Sequence, residues 1–496
     1  MNDNEIANIP ANDYKNFNMS MLTDFYELTM ANGYLESGLQ DTVAYFDLYF
    51  RTVPDEGGFA IMAGLESAIS YISNLKFSDS DIEYIKEKKF SSAFIEYIKN
   101  FKFSCDIWAI PEGTPIFPTE PVIKVRGPVI QAQLVETTLL LLINHQSLIA
   151  TKASRIVRAA KGRAVLEFGA RRSHGVQAAV EGARAAYIGG CAGSSCTISD
   201  IIYGVPALGT MAHSWIQLFP TELDAFKAYA RTYPDNCVLL VDTYNTLKSG
   251  VKNAIKAFNE EVLPRGFRPK GIRIDSGDIT YLARKARKML DDAGFPDCQI
   301  CISNSLDEYL IAEMIAQGSP VDSFGVGERL ITASSCPVFG GVYKLCAIET
   351  DGVVTPKVKI SDNVSKITIP GDKKVWRLFD RETGKAIADV LTCHDEVIDE
   401  NQPYEIFDPE HIWKRKLCTD FYARELLVQI FKDGKLIYRC PSISEVRTHC
   451  QNQLETLWDE VKRFNNPHTY YVDLSQKLWD LRNELLSKAA KLQHEK

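Results

Sequence analysis

The sequence predicts an α/β fold whose middle third is a parallel sheet built from repeated strand–helix units. Short apolar runs alternate with helical patterns between about residues 163 and 327. Continuous apolar runs are typical of parallel strands that helices cover on both faces. Polar residues or glycine follow the runs at intervals of about 30 residues, the length of one strand–helix unit. We expect a barrel rather than an open sheet, because candidate functional residues follow many successive strands.

Five apolar runs are the predicted strands of this sheet. In parallel α/β folds ligands bind at the carboxyl ends of the strands, so the residues there are candidates for a site. The predicted strands are residues 164–168, 238–241, 271–274, 299–302 and 323–326. The residues at their ends include Asp242, Asp275, Ser303, Gly325 and Gly327.

Helical patterns follow the central strands. Apolar residues recur at helical spacing between Val251 and Val262 and between Ile279 and Leu290. The pair Ser305 and Glu308 has the spacing of a capping box and predicts the start of a third helix. Glycines at 294 and 318 predict the ends of the second and third helices.

The flanking regions predict two further domains. Residues 1–150 contain a helical pattern, a strand near Val43 and a proline-rich loop, which indicates an N-terminal α/β domain. Residues 151–350 hold the strand–helix units. Residues 351–496 begin with charged, β-rich segments and end in a helical pattern, and we expect them to pack on the N-terminal domain.

Composition limits the classes of function. The chain has 496 residues, a net charge of −8, 45% hydrophobic and 24% charged residues, which describes a globular protein and argues against a nucleic-acid surface. No apolar run approaches the ~18 residues of a membrane span. The twelve cysteines are scattered through apolar segments, so we expect reduced thiols and a cytoplasmic location. Cys298 and Cys301 lie three apart on a strand, where side chains diverge, so buried thiols are favoured over a zinc or redox site.

Two segments predict the chemistry. Residues 209–214 place His213 in a connection rich in glycine, serine and threonine, and residues 272–278 run from an apolar strand through Arg273 and Asp275 to a glycine. Glycine lets backbone N–H groups approach an anion, a helix start favours phosphate, and arginine adds a planar fork of donors. The sequence therefore predicts an enzyme that handles phosphate with a reactive histidine.

Six motifs in a fixed order carry a family resemblance. They are EFGARR (167–172), GTMAHS (209–214), VDTY (241–244), RIDSGD (273–278), FGVG (324–327) and GGVYKL (340–345). With them the chain resembles the nicotinate phosphoribosyltransferase family over nearly its whole length. The resemblance implies that nicotinate, phosphoribosyl pyrophosphate, ATP and water give nicotinate mononucleotide, pyrophosphate, ADP and phosphate. It also implies an irregular TIM-like barrel beside the N-terminal α/β domain, Mg²⁺ with the phosphate substrates, and a homodimer with sites near the subunit boundary.

The resemblance also implies roles for individual residues. His213 is expected to be phosphorylated by ATP, and Arg273 and Asp275 to act beside it at the reaction centre. The remaining expected roles concern substrate binding. They are aromatic plates for the pyridine ring (Phe168, and Tyr26 from the partner subunit), nicotinate contacts (Thr210 with Arg273), a phosphate or pyrophosphate ligand (Arg171), ribose or Mg²⁺ ligands (Asp242 with Asp275) and a cradle for the 5′-phosphate (Ser303, Gly325 and Gly327).

Structural interpretations of the same residues stay open. Taken alone, His213 is a solvated loop residue, Phe168 is a core residue, and Asp275 is the cap of the helix that starts near Ile279. A basic edge formed by Lys359, Ser361 and Lys366 is as consistent with an ordinary exposed surface as with phosphate binding.

Two positions bear on substrate recognition. Glu328 follows the FGVG motif where the family commonly has threonine or serine, and its carboxylate would repel a phosphate unless it is turned away or paired, as with Arg329 or Lys344. Residues 189–194 contain no carboxylate, whereas the related nicotinamide phosphoribosyltransferases carry an acid in the corresponding loop. Because an acid there would accept an amide and repel a carboxylate, its absence favours nicotinate.

Two other classes of function remain open on the residues alone. One is another phosphate-sugar barrel enzyme, such as a lyase or isomerase, for which ATP would have no effect. The other is a catalytically silent ligand-binding relative, for which Glu328 is the only indication. The presence of His213, Arg273 and Asp275 together favours an enzyme over a silent relative.

Overall fold

The N-terminal part of the chain mixes helices with antiparallel strands, in the computed structural model that describes residues 19–361 and 366–494. The predicted first helix and the strand at Val43 are confirmed. The elements are α1 (Phe25–Glu36), β1 (Val43–Phe50), β2 (Ala60–Ile61), α2 (Leu65–Ser73), α3 (Asp79–Glu87), α4 (Ser92–Lys99), β3 (Asp106–Ala109), β4 (Pro115–Ile116), β5 (Ile123–Pro128), α5 (Val129–Leu134) and α6 (Glu136–Ala159).

The middle part alternates strands and helices as predicted, and all five predicted strands are present. The elements are β6 (Ala164–Glu167), α7 (Val176–Ile188), β7 (Gly193–Ser194), α8 (Thr197–Tyr203), α9 (His213–Gln217), α10 (Glu222–Thr232), β8 (Val238–Leu240), α11 (Val251–Ala257), β9 (Gly271–Ile274), α12 (Ile279–Asp292), β10 (Gln299–Ser303), α13 (Glu308–Ala316), β11 (Ser323–Val326) and α14 (Glu328–Ile331).

These strands form one parallel sheet of six strands in the order β7-β6-β11-β10-β9-β8. Within the described residues the sheet is open between β7 and β8, so the closed barrel that we expected is not observed. In the described part of the chain, the pairing beyond β7 consists only of an isolated bridge from Ser194 to Ala207. Pro206, which lacks a backbone N–H, precedes Ala207, and Gly209 follows closely, so this segment is a poor strand.

The C-terminal part adds β structure and two helices. Its elements are β12 (Gly341–Thr350), β13 (Val353–Pro356), β14 (Lys373–Asp380), β15 (Ala386–Cys393), β16 (Tyr404–Phe407), β17 (Arg415–Cys418), β18 (Phe421–Glu425), β19 (Val428–Lys432), β20 (Lys435–Leu436), α15 (Ile443–Thr456), β21 (Val472–Leu474) and α16 (Gln476–His494). A seven-stranded sheet in the order β13-β12-β1-β5-β3-β19-β20 joins both ends of the chain. A second sheet, β18-β14-β15-β21, lies within the C-terminal part.

Helix α6 packs between the N-terminal part and the middle part of the fold. It packs against α2 and β2 of the N-terminal part and against α7 and α13 of the middle part. Its buried residues lie on several faces, as expected for a helix enclosed by other elements. The parallel sheet is therefore held against the N-terminal part by one long central helix.

The ends of α12 and α13 agree with the glycines predicted from the sequence, whereas the cap at the start of α13 differs from the prediction. Gly294 and Gly318 follow α12 and α13 with φ of 83° and 70°, a left-handed conformation that suits glycine. The predicted capping box at Ser305 is wrong, because Asp307 caps α13 by accepting from the Leu310 N–H at 2.9 Å. Ser305 itself takes a positive φ of 47°, one turn before the helix.

The cysteines agree with the expectation of thiols. All twelve are unpaired, and Cys298 and Cys301 are buried. No helix among the described residues is long and apolar enough to cross a membrane.

Candidate active site

The carboxyl edge of the parallel sheet brings most of the predicted site residues together. Register pairs Ser303 of β10 with Gly325 of β11, and Cys301 with Arg273 of β9. Asp242 follows β8 and Asp275 follows β9 on the neighbouring strand. Successive strands therefore deliver side chains to one place, as parallel α/β architectures do.

Arg273 is the centre of this group. Its Nε donates to Ser303 Oγ at 2.8 Å, Nη1 to Thr210 Oγ1 at 3.2 Å and Nη2 to Asp275 Oδ1 at 2.9 Å. The guanidinium carbon also lies 5.5 Å from the centroid of the Phe168 ring. Since all three nitrogens have partners, the planar cation is held in one orientation beside the aromatic ring.

Asp275 joins the arginine to the histidine. Its Oδ1 also accepts a hydrogen bond from the Ser303 hydroxyl, and its Oδ2 lies 3.8 Å from His213 Nε2. The interpretation of Asp275 as a helix cap is wrong, because Asp278 caps α12 by accepting from the Tyr281 N–H at 3.1 Å. The carboxylate of Asp275 is engaged by side chains of the site instead.

Asp242 supports the backbone of this edge. Its Oδ2 accepts from the Asp275 N–H at 3.1 Å and from the Ser276 hydroxyl at 2.6 Å. Its Oδ1 is buried and has no hydrogen-bond partner among the described residues. Asp242 thus fixes the start of the Asp275 segment and retains one free acceptor oxygen.

His213 is the first residue of the short helix α9. Its Nδ1 lies 3.0 Å from Thr243 Oγ1 and its Nε2 faces Asp275, while the side chain stays 41% exposed. The two ring nitrogens are therefore oriented by different groups. An exposed imidazole in a fixed orientation is able to act as a nucleophile.

The ring of Phe168 fits against a glycine. A Cβ placed on Gly325 would lie 2.6 Å from Cδ2 of the ring, closer than real contacts allow. The Phe168 N–H also donates to the Val326 carbonyl at 2.8 Å. Gly325 is therefore needed to seat the ring, a packing role that the sequence analysis did not assign to it.

Glu167 is a residue of the EFGARR motif for which the sequence predicted no function. Its side chain is fully buried, and its carboxylate accepts from the Gly169 N–H and, at 2.5 Å, from the Ser194 hydroxyl. Burial raises the pKa of Glu167. The signal in the sequence was an acidic residue at the end of an otherwise apolar strand, immediately before Phe168.

Two predicted ligands form no hydrogen bond or ion pair with the Arg273 group among the described residues. Arg171 is exposed on the turn Ala170–Arg172. Tyr26 is 44% exposed on α1. Desolvation and the carboxylates of Glu136 and Glu27 raise the pKa of Tyr26.

Glu328 has a different partner from those expected. Its Oε2 lies 3.9 Å from Arg172 Nε, and both side chains are largely exposed. The expected pairing with Arg329 or Lys344 is wrong, because Arg329 pairs with Asp307, the cap of α13, and Lys344 Nζ donates to the Tyr343 carbonyl at 2.6 Å. The carboxylate of Glu328 is turned toward the exposed residue Arg172.

Comparison with known families matches almost the whole chain. The family described as "Nicotinate phosphoribosyltransferase (NAPRTase) family" matches residues 164–396, its N-terminal domain 21–144 and its C-terminal domain 372–482. The nicotinate phosphoribosyltransferase of Bacillus subtilis (strain 168) is 44% identical over 467 residues, 94% of this chain and 95% of that protein. The human enzyme of the same name is 30% identical over 526 residues, 94% of this chain and 96% of that protein.

Solved structures show the same relationship. The crystal structure of human nicotinic acid phosphoribosyltransferase superposes with a TM-score of 0.82 at 29% identity, covering 94% of this chain and 100% of that one. A nicotinate-nucleotide pyrophosphorylase from Pyrococcus furiosus shares the fold with a TM-score of 0.68 at 23% identity, covering 92% and 97%. The chain therefore belongs to the nicotinate phosphoribosyltransferase family, the enzymes that convert nicotinate to its mononucleotide in NAD salvage.

Proposed function

We propose that the residues around Arg273 carry out nicotinate phosphoribosyl transfer in this chain, and that His213 couples the transfer to ATP hydrolysis. The overall reaction converts nicotinate, phosphoribosyl pyrophosphate, ATP and water into nicotinate mononucleotide, pyrophosphate, ADP and phosphate. The observation that carries the proposal is the set of hydrogen bonds that holds Arg273 beside Phe168, Thr210 and Asp275.

The pyridine ring and its carboxylate are assigned to this group. The flat ring stacks on Phe168, and the carboxylate receives charge-assisted hydrogen bonds from Arg273 and a hydroxyl from Thr210. Asp275 holds the guanidinium in place and offsets part of its charge before nicotinate arrives. Tyr26 of the partner subunit is assigned to the other face of the ring, for which its exposure on α1 is the support.

Transfer requires electrostatic stabilisation rather than a general base. Breaking the bond between ribose C1 and pyrophosphate places positive charge on the sugar and negative charge on the leaving group, while the ring nitrogen attacks with its own lone pair. The carboxylates of Asp242 and Asp275 suit the ribose, and Arg171 suits the pyrophosphate. The 5′-phosphate is assigned to Ser303, Gly325 and Gly327, although the Ser303 hydroxyl must then leave Asp275.

Mg²⁺ is proposed to accompany the phosphate substrates. Asp242 Oδ1 is a buried acceptor without a partner in the described part of the chain, and Asp275 supplies a second carboxylate nearby. Two carboxylates fit Mg²⁺, which usually keeps waters and binds one or two carboxylates together with substrate phosphates. Such a cation would offset the negative charge of the leaving pyrophosphate.

His213 is proposed as the phosphoryl carrier. In the tautomer that donates from Nδ1 to Thr243, Nε2 keeps its lone pair and is the nucleophile. The γ-phosphoryl group of ATP transfers to this nitrogen with ADP as the leaving group, and water later releases phosphate. The 41% exposure of the side chain supports this role, because a nucleotide needs access to the ring.

A TIM-like barrel that is open on one side is proposed for the parallel sheet. Strands that are consecutive in the chain are neighbours in the sheet from β8 to β11, and β6 neighbours β7. The last strand, β11, pairs with the first, β6, so in the described residues a closed ring of strands lacks only the pairing of β7 with β8. Residues of β6 and β8, at opposite sides of the strand order, both line one open pocket of about 250 Å³. On a flat sheet these two strands would lie too far apart to share a pocket. The lining includes Leu166, Val238, Ile272, Cys301 and Ser323.

A homodimer and a cytoplasmic location complete the proposal. Large apolar side chains are exposed on the surface, among them Ile201 at 83% and Leu218 at 81%, and such surfaces are typical of contacts between chains. The twelve unpaired cysteines support a reducing compartment.

The test is a transfer assay with labelled nicotinate and phosphoribosyl pyrophosphate, with and without ATP. The expected result is labelled nicotinate mononucleotide, with ATP raising the final ratio of product to substrate and being hydrolysed in parallel. Product without any effect of ATP would refute the coupling alone. Absence of product would favour a different phosphate-sugar enzyme or a silent relative.

A further inference from the structure

We propose that Glu167 is a positioning residue that, through Ser194, fixes the spacing between Phe168 and the Thr210–Arg273 pair and thereby sets the affinity for nicotinate. The two halves of the proposed nicotinate site lie on different segments of the chain, and this pair joins them. The inference rests on the proposed stacking of the pyridine ring on Phe168.

The first half of the proposed nicotinate site, the Phe168 ring, is positioned by the Glu167 carboxylate. Glu167 is the last residue of β6, and one of its carboxylate oxygens accepts from the Gly169 N–H. Phe168 lies between these two residues, so the bond closes a tight loop around its backbone. The Glu167 carbonyl also accepts from the Ser195 N–H at 2.9 Å, which ties the same strand end to the β7 segment.

The second half of the proposed site, the Thr210–Arg273 pair, is connected to Glu167 through Ser194. Its hydroxyl donates to the other oxygen of Glu167 at 2.5 Å and accepts from the Cys196 N–H at 3.0 Å. Its backbone N–H donates to the Pro206 carbonyl at 3.0 Å, and its carbonyl accepts from the Leu208 N–H at 2.8 Å. Two residues later Thr210 accepts from Arg273, so the carboxylate and the guanidinium are linked by hydrogen bonds at Ser194 and Thr210 and by the short covalent segment 208–210 between them.

A carboxylate suits this position because two donors approach it from different segments. Both donors are neutral, and no cation forms an ion pair with Glu167 in the described residues. A buried carboxylate held only by neutral donors is unfavourable for stability compared with an apolar side chain. Fully satisfied buried polar groups do, however, specify one geometry, and here that geometry belongs to the nicotinate site.

The experiment compares Ser194→Ala and Glu167→Gln with the matched control Ser199→Ala. Ser199 is also fully buried, and its hydroxyl donates to the Val180 carbonyl at 2.9 Å, away from Glu167. We expect Ser194→Ala to raise the KM for nicotinate about 10-fold, the size of a lost hydrogen bond to a charged group, with the KM for phosphoribosyl pyrophosphate unchanged. Ser199→Ala should lower the melting temperature comparably and leave both KM values unchanged.

A double-mutant cycle tests the pair itself. In Ser194→Ala/Glu167→Gln the effects on the KM for nicotinate should be smaller than the product of the single effects, because the two residues share one interaction. Equal KM values in Ser194→Ala and Ser199→Ala, or independent effects in the cycle, would overturn the proposal. If Glu167→Gln does not fold, the comparison of the two serine variants decides it. Phe168→Leu separates failure of this inference from failure of the proposed nicotinate site. An unchanged KM for nicotinate in that variant would overturn the stacking on Phe168 and, with it, this inference.

Discussion

Arg273 Nη2 and Asp275 Oδ1 lie 2.9 Å apart at the end of β9, two positions apart in the chain. Alternate residues of a strand point to the same side, so the cation and its anionic partner leave the strand together. The side chain of Arg273 is only 18% exposed, and its remaining nitrogens are bonded to Ser303 and Thr210. The orientation of the guanidinium is therefore set before any substrate binds.

Arg273→Lys is expected to lower kcat/KM for nicotinate by about 100-fold with little change in the melting temperature. An ammonium group keeps the charge but has no planar fork, so it cannot reach the three partners and a carboxylate together. Steady-state kinetics and thermal unfolding measure the two effects. Arg268→Lys is the matched control, because Arg268 also pairs with an aspartate, Asp297, but on the exposed surface. A folded Arg273→Lys enzyme with normal rates would show that this arginine does not bind substrate.

Gly325→Ala is expected to displace the Phe168 ring, because the added Cβ would lie 2.6 Å from it. We predict a loss of about 1–3 kcal/mol in unfolding free energy, the usual cost of overpacking, together with a higher KM for nicotinate. Denaturant unfolding and kinetics check both parts. The control is Gly33→Ala, where the added Cβ meets no atom within 4 Å, and it should be neutral or slightly stabilising. Normal nicotinate binding in Gly325→Ala would contradict the role of Phe168 as a plate.

The elements that the sequence predicted well are those encoded locally. The bounds of β9 and β11 agree with the prediction because each is a short apolar run followed by a turn. The cap of α13 was wrong although the Ser305–Glu308 spacing fits a capping box. Ser305 has a positive φ of 47°, so the chain turns there and Asp307 reaches the helix start instead.

The contacts that the sequence could not give join segments distant in the chain. The sequence allowed Asp275 to be a helix cap, and only the fold brings Arg273, Ser303 and His213 to its carboxylate. Likewise, the carboxylate near Ser194 comes from Glu167, 27 residues earlier, although residues 189–194 contain no acid. Motif spacing predicted the chemical groups of the candidate site, whereas their pairing depends on strand register.

Discrimination between nicotinate and nicotinamide is expected to be strong, at roughly 10⁴ in kcat/KM. One reason for this discrimination is that residues 189–194 contain no acid. The structure gives a second reason, because both oxygens of the nearby Glu167 already accept hydrogen bonds, from Gly169 and Ser194. An amide N–H₂ group would therefore find Arg273, a donor, but no free acceptor from Glu167. Competing the two substrates in one assay measures the ratio directly, and comparable turnover of both would contradict the assignment of the site.

His213→Asn is expected to remove ATP hydrolysis and acid-labile phosphate incorporation while a slow, ATP-independent transfer persists. Asparagine is polar and is accepted at a helix start, so α9 should fold, but its amide has no nucleophilic lone pair. Phe168, Arg273 and Asp275 remain in place for the transfer itself. Labelling with γ-³²P ATP, beside transferase rates at saturating substrates, measures both activities. His394→Asn, an exposed histidine of the C-terminal part with its own carboxylate partner Asp372 at 3.4 Å, is the matched control and should behave as the unchanged chain. Undiminished stimulation by ATP in His213→Asn would place the coupling group elsewhere and leave His213 a structural role.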